Sequence, residues 1–74
     1  MGQQLPQIID HMGTLGKRGQ WTIELNYVQW EGREPQFSIN RWSPDHKKMG
    51  KGITLFDHEF AALCKKCQGI RFVK

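Results

Sequence analysis

The stretch from Trp21 to Trp30 restricts the fold more than any other part of this chain. Trp21, Ile23, Leu25 and Tyr27 alternate with Thr22, Glu24, Asn26, Val28 and Trp30. Only an extended strand turns a period of two into two separate faces. The odd-numbered face is apolar enough to predict that it packs on the core. The even-numbered face is polar and ends in an indole. Glu31-Gly32-Arg33-Glu34-Pro35 reads as a hairpin turn, and Gln36 to Trp42 as the returning strand. Phe37 and Ile39 share one face of that strand; Gln36, Ser38, Asn40 and Trp42 share the other. Each strand therefore has a polar face that closes on a Trp. A slip of one residue in register would exchange the faces.

The flanking segments fit the same architecture. Gln7 to Leu15 reads as a first strand, weakened by Gly13, with Gly16-Lys17-Arg18-Gly19 as the turn after it. Ser43-Pro44-Asp45 breaks the sheet, and His46 to Lys51 reads as a flexible basic loop. Gly52-Ile53-Thr54-Leu55-Phe56 is a short, β-branched fourth strand. Asp57 is the expected N-cap of a helix. Phe60, Leu63, Cys64 and Cys67 then follow helical spacing, Lys65 and Lys66 suit the last turn, and Gly69 suits the stop. The segment Ile70 to Lys74 reads as extended or frayed. The fold class expected is α+β, a ββββα domain spanning 1–74. The helix stripe covers one sheet face and leaves the face with the two Trp residues open.

Size and composition narrow the function. A chain of 74 residues buries only about 60% of its unfolded surface, so an isolated protomer is marginal and dimerisation would help it. The formal charge of +4 favours polyanionic partners without choosing among them. No apolar run reaches the roughly 18 residues of a membrane span. The start Met-Gly-Gln-Gln-Leu-Pro lacks the pattern of a secretory signal, and Pro6 spoils a myristoylation motif at Gly2. A cytoplasmic location is expected. Cys64 and Cys67 form a single C-x-x-C. A structural zinc site needs four ligands, so buried core thiols are the expectation, with metal binding and redox chemistry as alternatives. No Ser-His-Asp order or carboxylate pair signals catalysis. The expectation is a protein that is not an enzyme, with no metal and no cofactor.

Trp42-Ser-Pro-Asp-His-Lys-Lys-Met-Gly-Lys-Gly-Ile-Thr-Leu55 carries the functional signal. A ring beside cations suits single-stranded nucleic acid, because bases stack on the ring and phosphates meet the lysines. Trp30 reads as a stacking platform or as a cross-strand aromatic, and Trp42 as ligand-facing or as an interface residue. Trp21 reads as core or interface. Lys47, Lys48 and Lys51 read as phosphate contacts or loop solubilisers, with Gly50 and Gly52 permitting close backbone approach. Lys17 and Arg18 fit turn chemistry and phosphate contact equally, and Arg33 fits phosphate contact. His46 and His58 read as surface residues.

The order of an aromatic-Gly turn, a strand ending Ile-x-x-Trp, a Lys-rich loop and Lys-Gly-Ile-Thr-Leu resembles the transcriptional coactivator family called positive cofactor four. Over about residues 7–67 it is especially similar to the bacterial YdbC-type branch, which also matches at Leu25-Asn26 and Val28 to Trp30. The resemblance implies a dimeric ββββα fold with curved antiparallel sheets that binds single-stranded DNA with little sequence preference. Trp30 stands where a base-stacking aromatic occurs in that family. Arg33 matches the basic residue past the hairpin Gly, Lys47 and Lys51 match basic loop positions, and Trp42 lies at or beside the aromatic ending the third strand. Asn40 replaces the usual Arg and is expected to face the ligand, with Arg41 reaching round the strand edge. The resemblance implies coactivator-like roles in transcription, replication or repair, with a nucleoid-associated location in a bacterium. The rival readings are a protein-interaction module that uses the exposed aromatic face, and a binder of double-stranded RNA or DNA that uses only the cations.

Overall fold

The computed structural model describes residues 4–71, so the readings made at Gly2 and beyond Arg71 lie outside the described residues. The chain runs β1 (Gln7–Arg18), β2 (Trp21–Gln29), β3 (Gln36–Trp42), β4 (Met49–Leu55) and α1 (Asp57–Gln68). The four strands form one antiparallel sheet in the order β1-β2-β3-β4, which matches the expected ββββα class.

Four boundaries differ from expectation, β2 by the single residue Trp30, which lies past its end. β1 continues through Lys17 and Arg18, and the turn shrinks to Gly19-Gln20, with Gly19 at φ 63. A positive φ at the first of two loop residues matches the twist of the flanking strands. β4 begins at Met49, so Lys51 lies on a strand rather than in a loop. The helix is capped by Phe56, and Asp57 is its first residue; Glu59 reaches back to accept the Phe56 N–H at 2.8 Å. Gly69 ends the helix as expected.

The register fixes both faces. Thr22 pairs with Trp42, Glu24 with Asn40, Asn26 with Ser38 and Val28 with Gln36. On the other side of β2, Lys17 pairs with Thr22, Thr14 with Glu24, His11 with Asn26 and Ile8 with Val28. Thr54 and Gly52 of β4 continue the rows of Ser38 and Asn40. The even-numbered residues of β2 and β3 thus lie on one face.

The expected core side is reversed. Apart from Pro6 before β1 and Ser43 in the β3–β4 loop, the residues sealed from solvent are Val28, Trp42, Glu24, Asn26, Gln36, Ser38 and Asn40, all from the even, mostly polar face. The odd face is only half-buried at Ile23, Leu25, Tyr27, Phe37 and Ile39. α1 lies on that odd face, its backbone beside β3 and β4, and it reaches β2 through one side-chain bond. Phe60 stacks on Phe37 at 3.9 Å, and Tyr27 donates to Asp57 at 3.4 Å. No helical residue is buried. Leu63, Cys64 and Cys67 are exposed, so the expected burial of the two thiols is overturned. The helix contacts its own sheet through its first turns and leaves the rest of its apolar stripe without a covering layer. Among the described residues, no other element lies across the even face. Curvature of the sheet encloses it, with loop 43–48 folded back at one end and Gln4 beside Gln36 and Thr54 at the other.

That curvature has a visible source in β1. The β1–β2 register shifts at Ile8/Asp10, His11/Gly13 and Thr14/Gly16. Each shift leaves one β1 residue unpaired, and β-bulges of this kind bend the strand and increase its twist. The unpaired residues are Ile9, Met12 and Leu15, three of the exposed large apolar side chains.

Candidate nucleic-acid interface

The enclosed polar face is a connected hydrogen-bond system. Its centre is the Glu24 carboxylate, which is only 3% exposed. Thr22 donates to it at 2.6 Å and Asn26 at 3.2 Å. His46 Nε2 lies 2.8 Å from Oε2, and His11 Nδ1 lies 3.6 Å from Oε1. His11 also meets Asn26 Oδ1 at 2.7 Å. Burial pushes the Glu24 pKa up, but the hydrogen bonds from Thr22, Asn26 and His46 and the charge of His46 outweigh it and hold the group below the usual carboxylate range. A lowered carboxylate pKa adds stability that is complete above the unfolded value, about 4.3, and is lost as pH falls through the folded value. Acid unfolding followed by circular dichroism should therefore be steeper below pH ~4.5 for the natural chain than for Glu24→Gln. Superimposable profiles would remove Glu24 from the acid-labile groups.

Asn40 does not face a ligand as expected. It is 7% exposed, Ser38 donates to its Oδ1, and its Nδ2 donates to Gly50 O at 3.1 Å. A short amide on a closed polar face is consumed by these internal bonds. Arg41 is exposed and lies on the odd face with its side chain against Gly50; it is not beside Asn40. Trp42 is not an open platform: it is 2% exposed, with the His46 ring stacked on it at 5.4 Å and 25°.

Loop 43–48 is a built turn rather than a flexible tether. Ser43 N–H donates to Lys48 O at 3.0 Å, and His46 N–H donates to Ser43 O at 2.9 Å. The Asp45 carboxylate accepts from Ser43 Oγ at 2.7 Å and from Lys47 N–H at 3.0 Å. These two bonds, Lys47 N–H first, lower its pKa. Lys48 N–H donates to Ser43 Oγ at 3.0 Å. The side chains of Lys47 and Lys48 are left outside this frame and are exposed.

The register separates the candidate residues into two groups. Lys17, Arg18, Lys47 and Lys48 gather at the end of the sheet that carries the β1–β2 turn and loop 43–48, with Arg41 and Lys51 in the same half. Trp30 and Arg33 lie at the opposite end, beyond β2, which at nine residues is roughly 30 Å long. Arg33 N–H donates to Trp30 O at 3.0 Å, and Gly32 takes φ 76 between them. That is the left-handed third position of a tight turn, where a side chain would be strained. Trp30 is half-buried and borders two clefts. The larger, about 470 Å³, is lined by Gln4, Trp30, Glu31, Arg33, Gln36 and Thr54. A further cavity, about 560 Å³, is lined by Tyr27, Glu34, Pro35, Phe56, Asp57 and His58. Among the described residues it holds two carboxylates and neither Lys nor Arg, which does not suit a phosphate.

The sequence reading missed Glu24, His11 and His46. The signal available was an acidic residue in mid-strand on the polar face; its partners are hidden, His11 by the bulged β1 register and His46 by the folded-back loop. Among the described residues, no group of three His, Cys, Asp or Glu side chains is placed to hold a metal ion, and no helix is long and apolar enough to cross a membrane.

No protein-family model matches the chain. A Treponema pallidum (strain Nichols) protein described as uncharacterized is 43% identical over 58 residues, spanning 77% of this chain and 68% of that protein.

Proposed function

We propose, for a chain that belongs to the same family as the uncharacterized Treponema pallidum protein, that it binds single-stranded DNA without reading its sequence. The observation that carries this reading is the union of an accessible indole, Trp30, beside Arg33 with a cluster of exposed cations at the far end of one curved sheet. A strand anchored by its phosphates at Lys17, Arg18, Lys47 and Lys48 can run along the sheet and lay a base on Trp30. The cations release counterions, and the indole takes the π face that every base has. Duplex DNA hides those faces, which gives the preference for unpaired strands. The resemblance to positive cofactor four and its YdbC-type branch supports the same assignment, and with it a role in transcription, replication or repair and a cytoplasmic place of action.

A homodimer belongs to this proposal. The protomer exposes 6047 Å², whereas a folded monomer of 8.7 kDa should expose about 4,700 Å². The excess, about 1,300 Å², is larger than the roughly 800 Å² each partner loses in a standard protein interface, so there is surface enough for one. The uncovered half of α1 and the half-exposed Ile23, Leu25, Ile39 and Ile53 are the apolar surfaces a second copy would cover.

A titration of fluorescent oligo-dT against protein at two salt concentrations, with the matching duplex as competitor, tests the function. Expected are tight binding at low salt, a steep fall with salt and poor competition by duplex. Lys47→Ala and Lys48→Ala should each flatten the log–log salt slope by about one unit. Salt-independent binding would favour the protein-interaction reading.

A further inference from the structure

We propose that His46 occupies on Trp42 the place that an unpaired base would take, making loop 43–48 a displaceable cap over a second stacking site; this rests on the single-strand reading above. Four observations converge on that loop. The His46 imidazole lies nearly parallel to the Trp42 indole, at 5.4 Å and 25°, the arrangement a base adopts on an aromatic ring. Its Nε2 is held at 2.8 Å by the Glu24 carboxylate, which acts as a latch. The backbone of His46 sits at φ 57, the one non-glycine residue with positive φ among those described. That conformation costs a residue with a Cβ and persists only where surrounding contacts hold it. Finally, Trp42 Nε1 is buried with no hydrogen-bond partner among the described residues, so the closed arrangement leaves a donor unmet that opening would release to water or to a strand.

The cap is anchored on both sides. Ser43 and Asp45 keep its shape, while the ring and the latch hold it down. Displacement of the imidazole therefore needs only rotation of His46 away from Glu24 and Trp42, without unfolding the turn. Lys47 and Lys48 follow His46 directly, so phosphates engaged by those lysines bring bases to the same place. A strand that binds has to outcompete the imidazole, and the apparent affinity is reduced by the fraction of protein that is closed.

The test uses the full chain with Trp21→Phe and Trp30→Phe, leaving Trp42 as the one indole. His46→Gly removes the ring and suits the positive φ; His46→Asn tolerates the same backbone and keeps a donor for Glu24 but has no ring. Two readouts are taken: acrylamide quenching of Trp42 without nucleic acid, and anisotropy of labelled oligo-dT, with circular dichroism confirming the fold. Both variants should make Trp42 markedly more quenchable and should bind oligo-dT at least about fivefold tighter than the parent with His46. Binding by the parent, with variants that bind equally or more weakly, overturns the cap and leaves the single-strand reading standing. Unchanged quenching in both folded variants also overturns the cap. Absence of oligo-dT binding by the natural chain overturns the single-strand reading, and the cap with it.

Discussion

Gly52→Ala is expected to cost about 3 kcal/mol or more of stability and to lower the melting temperature by about 10–20 °C. A Cβ at Gly52 would fall inside van der Waals contact of the Ile39 carbonyl oxygen and 2.6 Å from Asn40 Cγ. The obstacle is backbone on one side and, on the other, a side chain fixed by its bond to Gly50 O, so neither yields cheaply. The control is Gly50→Ala, whose Cβ has as its nearest neighbours Arg41 Cβ and Nε at 3.3 Å and Nη2 at 3.6 Å. None of these lies within 3.0 Å, Arg41 Cβ has to give only a few tenths of an ångström and the exposed guanidinium end can move, so that change should cost far less. Equal melting curves for the two variants would mean that β3 and β4 do not approach as closely as described.

Trp30→Ala should lower oligo-dT affinity by roughly 10- to 100-fold, the equivalent of one lost base stack, with little change in the melting curve. Trp30 is half-buried, lies at the tip of the β2–β3 hairpin and borders two open clefts. Retained affinity would remove it from the interface. Collapse of the fold would make it a structural residue. Read beside the lysine variants, this separates the two parts of the proposed site: the indole should change affinity at every salt concentration, whereas Lys47 and Lys48 should change the salt slope.

The element order was legible in the sequence because each element has its own local signature. Alternation from Trp21 to Tyr27 and the Gly32 turn give the central hairpin, and the Phe60, Leu63, Cys64 stripe gives the helix. Which face is enclosed was not legible. Ile23, Leu25 and Tyr27 look like a core, yet Glu24, Asn26 and Ser38 are the buried residues. Alternation identifies two faces; curvature chooses between them, and curvature depends on bulges that β1 hides behind an irregular pattern. Lys47 and Lys48 were placed correctly at the surface because charge there needs no tertiary information. Trp42 and Asn40 were misplaced because their surroundings come from residues distant in sequence: His46 across a folded-back turn, and the Gly50 carbonyl on the adjacent strand.

The β1 shifts impose an arithmetic on the chain. Twelve β1 residues run beside nine of β2, and the rows facing Val28, Asn26, Glu24 and Thr22 draw on Ile8, His11, Thr14 and Lys17. Side chains on this edge thus recur every third residue instead of every second. Gaining or losing two residues there, harmless to an ordinary strand, would scramble which groups meet Glu24. A triplet would carry the pattern intact, so lengthening or trimming along this edge preserves chemistry only in whole threes.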